Sequence, residues 1–263
     1  MSNVNKEELS AYFDQCLGEC RNKLKLAAAQ IQPRSAKALP IDRDELNAAI
    51  MASAVVGFLD GMSRRNKRIV KNTYAYCDIA SRVLFPAKAQ KVSRYECFKK
   101  LMFATGWTEY HGAFTRYKST TAKLTMDNVA LDIVHSVAGG IAGSAANALK
   151  IVADKTIEAL KKQPEAIKLL EHHAAEAYGA NFGVSVCKQD EEGEVTMAVG
   201  AVHYDASVNN TKVLFVEWDS SSVDIYQGKA HFALHEEDLR KEAECIKYLD
   251  DLRETIFMEY SPV

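Results

Sequence analysis

Residues 181–207 read NFGVSVCKQDEEGEVTMAVGAVHYDAS, and their reading decides the fold. Val184 and Val186 recur at every second position before the acidic turn DEEG, and Val195, Met197 and Val199 do so after it, which is the period of a strand. Two such runs joined by a short turn containing Gly predict an antiparallel hairpin. The stretch TKVLFVEWDSSSVDIYQGKAHFAL (211–234) follows the turn signal Asn209 and Asn210 and continues the meander, with Val213, Phe215 and Val223 as apolar strand positions. The polar cluster after Trp218 reads as a turn within it.

Outward from this meander the period is helical. KEELSAYFDQCLGECRNKLKLAAAQI (6–31) sets Leu9, Phe13, Leu17, Cys20 and Leu24 on one stripe, and Pro33 closes it. Asp42 or Asp44 is placed to cap a second helix through AIMASAVVGFLDGM, apolar on most sides and therefore central. NTYAYCDIASRVLF ends before Pro86, and SRYECFKKLMFATG runs from a candidate cap at Ser93 to a candidate stop at Gly106. AFTRYKSTTAKLTM (113–126) reads as extended, a long helix is expected over 127–162, and Pro164 separates it from EAIKLLEHHAAEAYG. A last helix follows the meander. The expectation is an α+β fold with a helical N-terminal half, an antiparallel β-sheet covered by helices and a C-terminal helix. An apolar fraction of 48% in 263 residues supports one domain, 1–263, divisible into a helical region 1–110 and an α/β region 111–263.

Within the expected helix 127–162, VHSVAGGIAGSAANALKIV (134–152) stands apart. No Asp, Glu, Lys or Arg lies between Asp132 and Lys150, and eight of those seventeen residues are Ala or Gly. Small residues let a helix approach a sheet or another helix closely. Three glycines also lower helix propensity by about 1 kcal/mol each relative to Ala, so the segment is both apolar and conformationally loose. Val137 and Ile141 lie on its apolar stripe. It is too short for an ordinary spanning helix, and His135 and Asn147 interrupt it.

Charge is unevenly placed. Residues 61–100 carry eleven Lys and Arg against Asp78 and Glu96, whereas residues 219–263 carry eleven acids against five bases. The basic group that begins with Arg64, Arg65, Lys67, Arg68 and Lys71 suits anionic lipid, an acidic partner or nucleic acid, or the acidic end of its own chain.

Catalytic signatures are sparse. Cys16, Cys20, Cys77, Cys97, Cys187 and Cys245 lack the spacing of a zinc site and read as free thiols, with Cys16 and Cys20 buried beside an apolar stripe. His203, His231 and His235 fall in the strand region without partners at metal-ligand spacing and read as structural or solvent-facing. Trp107 and Tyr110 suit either a lipid interface or aromatic packing on a helix. The chain has no Gly-Lys-Ser phosphate loop, paired-Gly dinucleotide fingerprint or Gly-x-Ser-x-Gly elbow, so no metal or nucleotide cofactor is expected. Enzyme activity, through a cysteine nucleophile and a distant histidine, is the weaker reading.

The order of KSTTAKLTM, the small-residue helix VALDIVHSVAGGIAGSAANALKIVADKTIEAL and the strands above, with EEGEVTMAVGAV after its acidic turn, resembles the cytolytic delta-endotoxin (Cyt) and volvatoxin family over residues 113–243. That resemblance implies a single α/β domain in which helical hairpins cover an antiparallel sheet. It implies a soluble form that binds lipid directly, moves its helical layer aside and permeabilises the bilayer as an oligomer. Val184, Val186, Met197, Val199, Val202, Val213, Phe215 and Val223 would then lie on inserting strands, with Val137 and Ile141 on the covering helix. The first hundred residues hold more helix and more basic charge than that family's pattern. A second resemblance, to acylated bacterial virulence factors that hold a fatty acid on a cysteine, implies an acyl site at Cys187 or Cys245.

The expected function is that of a membrane-active toxin or virulence-type protein with membrane lipid as partner, forming a homo-oligomer on membranes, and nucleic acid is not favoured. The alternatives are anchoring through an acylated cysteine and a binding module that uses the basic segment 64–100. Residues 1–23 read as neither a secretory signal nor a spanning helix, so synthesis in the cytoplasm is expected, with later release or secretion toward a target membrane.

Overall fold

A computed structural model describes residues 5–28, 48–51, 54–176, 181–206 and 214–260. In chain order the elements are α1 (Lys6–Ala28), β1 (Ala48–Met51), β2 (Ala54–Phe58), α2 (Arg64–Leu84), α3 (Lys91–Ala104), β3 (Thr108–Arg116), β4 (Lys123–Leu124) and α4 (Met126–Gly139). There follow α5 (Ala145–Lys161), α6 (Pro164–Glu176), β5 (Asn181–Gln189), β6 (Val195–Ala206), β7 (Trp218–Asp219), β8 (Val223–Leu234) and α7 (Glu242–Tyr260). The α+β expectation holds. Among the described residues six strands form one sheet in the order β1-β2-β5-β6-β8-β3, and β4 pairs with β7 in a separate ribbon. The antiparallel meander runs from β5 through β6 and β8 to β3, and β2 joins it in parallel beside β5.

Two expectations are corrected. The helix expected over 49–62 is replaced by strands, β1 at 48–51 and β2 at 54–58, while Asp42 and Asp44 lie outside the described residues. All five residues of β2 are buried, so AVVGF faces apolar layers on both sides and shows no alternation. A short apolar run of this kind has no period that separates strand from buried helix. Residues 127–162 form two helices, with a break at 140–144 where Gly143 takes φ +72°. Only glycine adopts that conformation at low cost, and it turns the chain back on itself.

Strand alternation divides the core in two. On one face Val56, Phe58, Cys187, Met197, Val199, Phe232 and Leu234 pack with α1, α2, α3 and α7. On the other, Val55, Phe182, Val184, Val186, Ala198, Val202 and Ile225 pack with α4, α5 and α6. The sheet is thus apolar on both faces and lies between two helical layers. Helix α2 shows how the first layer is made: Ile69, Val70, Thr73, Tyr74, Cys77, Ala80 and Ser81 are buried at helical spacing. Ser63 caps its start by accepting a hydrogen bond from the Asn66 N–H at 3.0 Å.

Candidate functional site

The hairpin of α4 and α5, with the sheet face beneath it, is the candidate site. Ile133 and Val134 on α4, and Leu149, Val152 and Ile157 on α5, are buried against the sheet. Two sheet glycines set the approach. A Cβ at Gly200 would lie 2.7 Å from Val134 Cγ2, and one at Gly57 would lie 2.1 Å from Thr156 Oγ1. Helix and strand backbones meet there at a spacing that any larger residue would prevent.

The margins of the hairpin are polar. Asp127, 2% exposed, lies 3.2 Å from Lys161 Nζ and joins the start of α4 to the end of α5. Midway, His135 Nε2 approaches Asp154 Oδ1 at 3.1 Å without hydrogen-bonding geometry. The Tyr117 hydroxyl donates to Asp132 at 3.0 Å, and Lys229 Nζ donates to Ser136 Oγ at 3.1 Å. At the opposite end from Asp127 the turn itself contains no charged residue, and Lys150 of α5 reaches back to it, its Nζ 3.6 Å from where a Cβ on Gly139 would stand. Gly139, Gly140, Ala142, Gly143 and Ser144 are exposed there, Ile141 is half-buried, and further along α5 the side chain of Ile151 is 52% exposed.

The residues expected at membranes are not collected on one surface. Val184, Val186, Val202 and Val223 face the hairpin layer, with half-buried Val137 and Ile141 packed at its edge, whereas Met197 and Val199 face the first helical layer. Phe215 lies in a turn before β7, not in a strand, and Lys161 Nζ sits 5.2 Å from its ring centroid. Val213 lies outside the described residues. Cys187 and Cys245 are fully buried, and burial raises both thiols well above the usual cysteine range.

The basic group opens α2. Arg64 and Arg68 are exposed, Arg65 pairs with Glu236 at 3.1 Å and with Glu242 at 2.7 Å, and Lys67 and Lys71 lie 5.9 and 5.7 Å from the Phe58 ring centroid. Part of the basic segment therefore meets the acidic end of its own chain. Trp107 is fully buried and donates to Thr73 Oγ1 at 3.1 Å, whereas Tyr110 is 51% exposed and stacks on His231. His231 belongs to β8, but His235 lies beyond its end and pairs with Glu194 at 2.8 Å. Among the described residues no helix is long and apolar enough to cross a membrane, and no group of three or more His, Cys, Asp or Glu is placed to hold a metal ion.

Reading single residues missed Asp127, Thr156, Lys161, Gly57 and Gly200, because their roles depend on which helix lies over which strand. The one available signal was the glycine cluster at 139–143, which marks the hairpin turn once it is read as a break.

These features define a three-layer α+β protein with a small-residue helical hairpin over an apolar sheet. Among solved structures the chain is similar to one described as a delta-endotoxin, at 12% identity and TM-score 0.37, covering 78% of this chain and 90% of that one. It is also similar to the structure of the Evf virulence factor, at 12% identity and TM-score 0.28, covering 91% of this chain and 90% of that one. No family model and no curated protein matches the sequence.

Proposed function

We propose that the protein is a lipid-binding, membrane-permeabilising protein of toxin or virulence type whose α4–α5 hairpin leaves the sheet at a bilayer. The observation that carries this reading is the exposed tip at 139–144, which lies within seventeen residues that contain no Asp, Glu, Lys or Arg. The turn can enter the headgroup region without burying an ion of its own, while Lys150 beside Gly139 stays at the level of the headgroups. Beneath the hairpin, the centre of the sheet face is apolar, with Val55, Phe182, Val184, Val186, Ala198 and Val202. Seven buried Val, Ile and Leu side chains on α4 and α5 stabilise the closed form by on the order of 10–20 kcal/mol, so the hairpin stays down in water. Lipid offsets that loss by replacing the sheet as apolar partner. Assembly of several copies would pair the exposed strand edges.

The test is dye release from neutral and anionic liposomes at low and high salt, with a reversible lock on the hairpin. Lys229 Nζ of β8 donates to Ser136 Oγ of α4 at 3.1 Å, so a cleavable bis-maleimide about as long as a lysine side chain can tie strand to helix there. The double variant Ser136→Cys, Lys229→Cys is expected to release dye when the link is cleaved and to stop when it is intact, with release persisting at high salt. Equal release from the linked and cleaved forms would exclude opening of the hairpin. No release and no binding by the unmodified protein would exclude the membrane reading itself.

A further inference from the structure

Cys16 on α1 and Cys97 on α3 meet where the two helices pack, 5% and 2% exposed, and both are free thiols. Their sulfurs are hydrogen-bonded to one another, and the hydroxyl of Tyr12, one turn before Cys16, is bonded to both. We propose that Cys16 and Cys97 are a peroxide-reactive dithiol, which hydrogen peroxide converts to a disulfide that ties α1 to α3. The pair lies across the sheet from the hairpin and does not rest on the membrane reading.

Helical spacing builds the cluster. Tyr12 and Cys16 are four apart on α1, and Cys97 and Lys100 are three apart on α3, so each pair shares one face of its helix. Lys100 Nζ lies 5.6 Å from the Tyr12 ring centroid and closes the gap between the helices on the solvent side. Tyr12 is half-buried and Lys100 is exposed, which puts the thiols one helical turn inside the rim. A molecule as small as hydrogen peroxide reaches them when those two side chains part, whereas a bulky thiol reagent needs the helices themselves to separate.

Contact between the thiols sets their roles. The hydrogen bond that Cys97 donates lowers the Cys16 thiol from its ordinary value, with the Tyr12 hydroxyl and the Lys100 charge acting the same way and burial and Glu19 acting against them. The same contact raises Cys97, which keeps its proton. Cys16 thus supplies the thiolate. It attacks one peroxide oxygen, the O–O bond breaks, hydroxide leaves and Cys16 becomes a sulfenic acid. The Cys97 sulfur then displaces the sulfenic hydroxyl and gives up its proton, so that two thiols and one peroxide yield one disulfide and two waters. Sulfurs in hydrogen-bonding contact close by about 2 Å to bond, a distance that side-chain rotation can cover. The other thiols are placed differently: Cys20 donates to the Ala80 carbonyl at 3.8 Å, and burial holds Cys77, Cys187 and Cys245 in the inert protonated form.

The experiment treats the folded full chain with hydrogen peroxide at neutral pH, quenches by alkylation, and reads intact mass and the peptide map. A loss of two hydrogens is expected, with one linked pair of peptides that carries Cys16 and Cys97 and is released by dithiothreitol. Cys97→Ala is expected to stop at a sulfenic acid on Cys16 that dimedone traps, and folded Cys16→Ala to consume peroxide about tenfold more slowly. Six free thiols after treatment of the unmodified chain would overturn the assignment, as would a bridge through any other cysteine, or oxygen addition without a bridge. Those outcomes are read without any variant. Equally fast oxidation of folded Cys16→Ala would overturn it too.

Discussion

Two helical layers pack against the same sheet with different surfaces. The layer of α1, α2, α3 and α7 interlocks through aromatic rings, among them Phe13 with Tyr76 at 5.0 Å, Tyr76 with Tyr248 at 5.4 Å, Tyr74 with Phe98 at 5.3 Å and Trp107 with Phe232 at 6.4 Å. The hairpin layer meets its face with Ala, Val, Ile and Leu, over Gly57 and Gly200, and its polar contacts lie at the margins. Interdigitated rings separate only if many contacts are lost together, whereas a smooth small-residue surface parts as one body. The first layer is thus built to anchor the fold, and the second is the one that the proposed function would move.

All six thiols lie in the core of the first layer, which provides the strongest way to break this comparison. Burial raises Cys20 to about 12 and pushes Cys77, Cys187 and Cys245 well above their ordinary values. In the unfolded chain these thiols ionise from about pH 8.5, so the folded state holds more protons above that pH. Their contribution is complete below pH 8.5 and is lost as pH rises toward the folded values. Four such groups are expected to cost on the order of several kcal/mol by pH 10, read from urea denaturation at pH 8 and pH 10. Flat stability across that range would mean the anchoring layer is open. At pH 8, thiol labelling should stay slow even when liposomes release the hairpin, because the hairpin covers the face away from every cysteine.

Two truncations sharpen the contrast by packing alone. Trp107→Ala removes a fully buried ring and its hydrogen bond to Thr73 and is expected to cost about 4 kcal/mol in urea denaturation. Ile133→Ala, beneath the hairpin, is expected to cost about 2–3 kcal/mol, and it alone should speed dye release. If Trp107→Ala speeds release as much at equal stability loss, release follows general loosening and the layers are not distinct.

Legibility in the sequence followed the same division. The meander was readable because β6 and β8 pair in simple register, with Val199 opposite Ala230 and Met197 opposite Phe232. Helices α1, α2, α3, α6 and α7 were readable from their stripes, although α2 begins at Arg64, several residues before the expected start. Strand β2 was not, because a strand buried on both faces loses the alternation that identifies it, and its parallel partner β5 lies more than a hundred residues away. The glycine cluster was noticed as loose helix, when the positive φ at Gly143 makes it a turn.

The smallest expected effect tests whether electrostatics, rather than packing, holds the hairpin closed. Asp127 sits in the first turn of α4, where the helix dipole favours a carboxylate, and it is buried while its partner Lys161 remains 49% exposed. Asp127→Asn keeps the shape and removes the charge, and water then solvates the lysine, so the full penalty of an unpaired buried ion does not arise. A loss of about 1 kcal/mol is expected in urea denaturation, with dye release several-fold faster. Faster release with little loss of stability would place the clasp at Asp127 and Lys161 on the opening path. Loss of stability with unchanged release would assign that pair to folding alone and leave the small-residue surface as the whole basis of the difference between the layers.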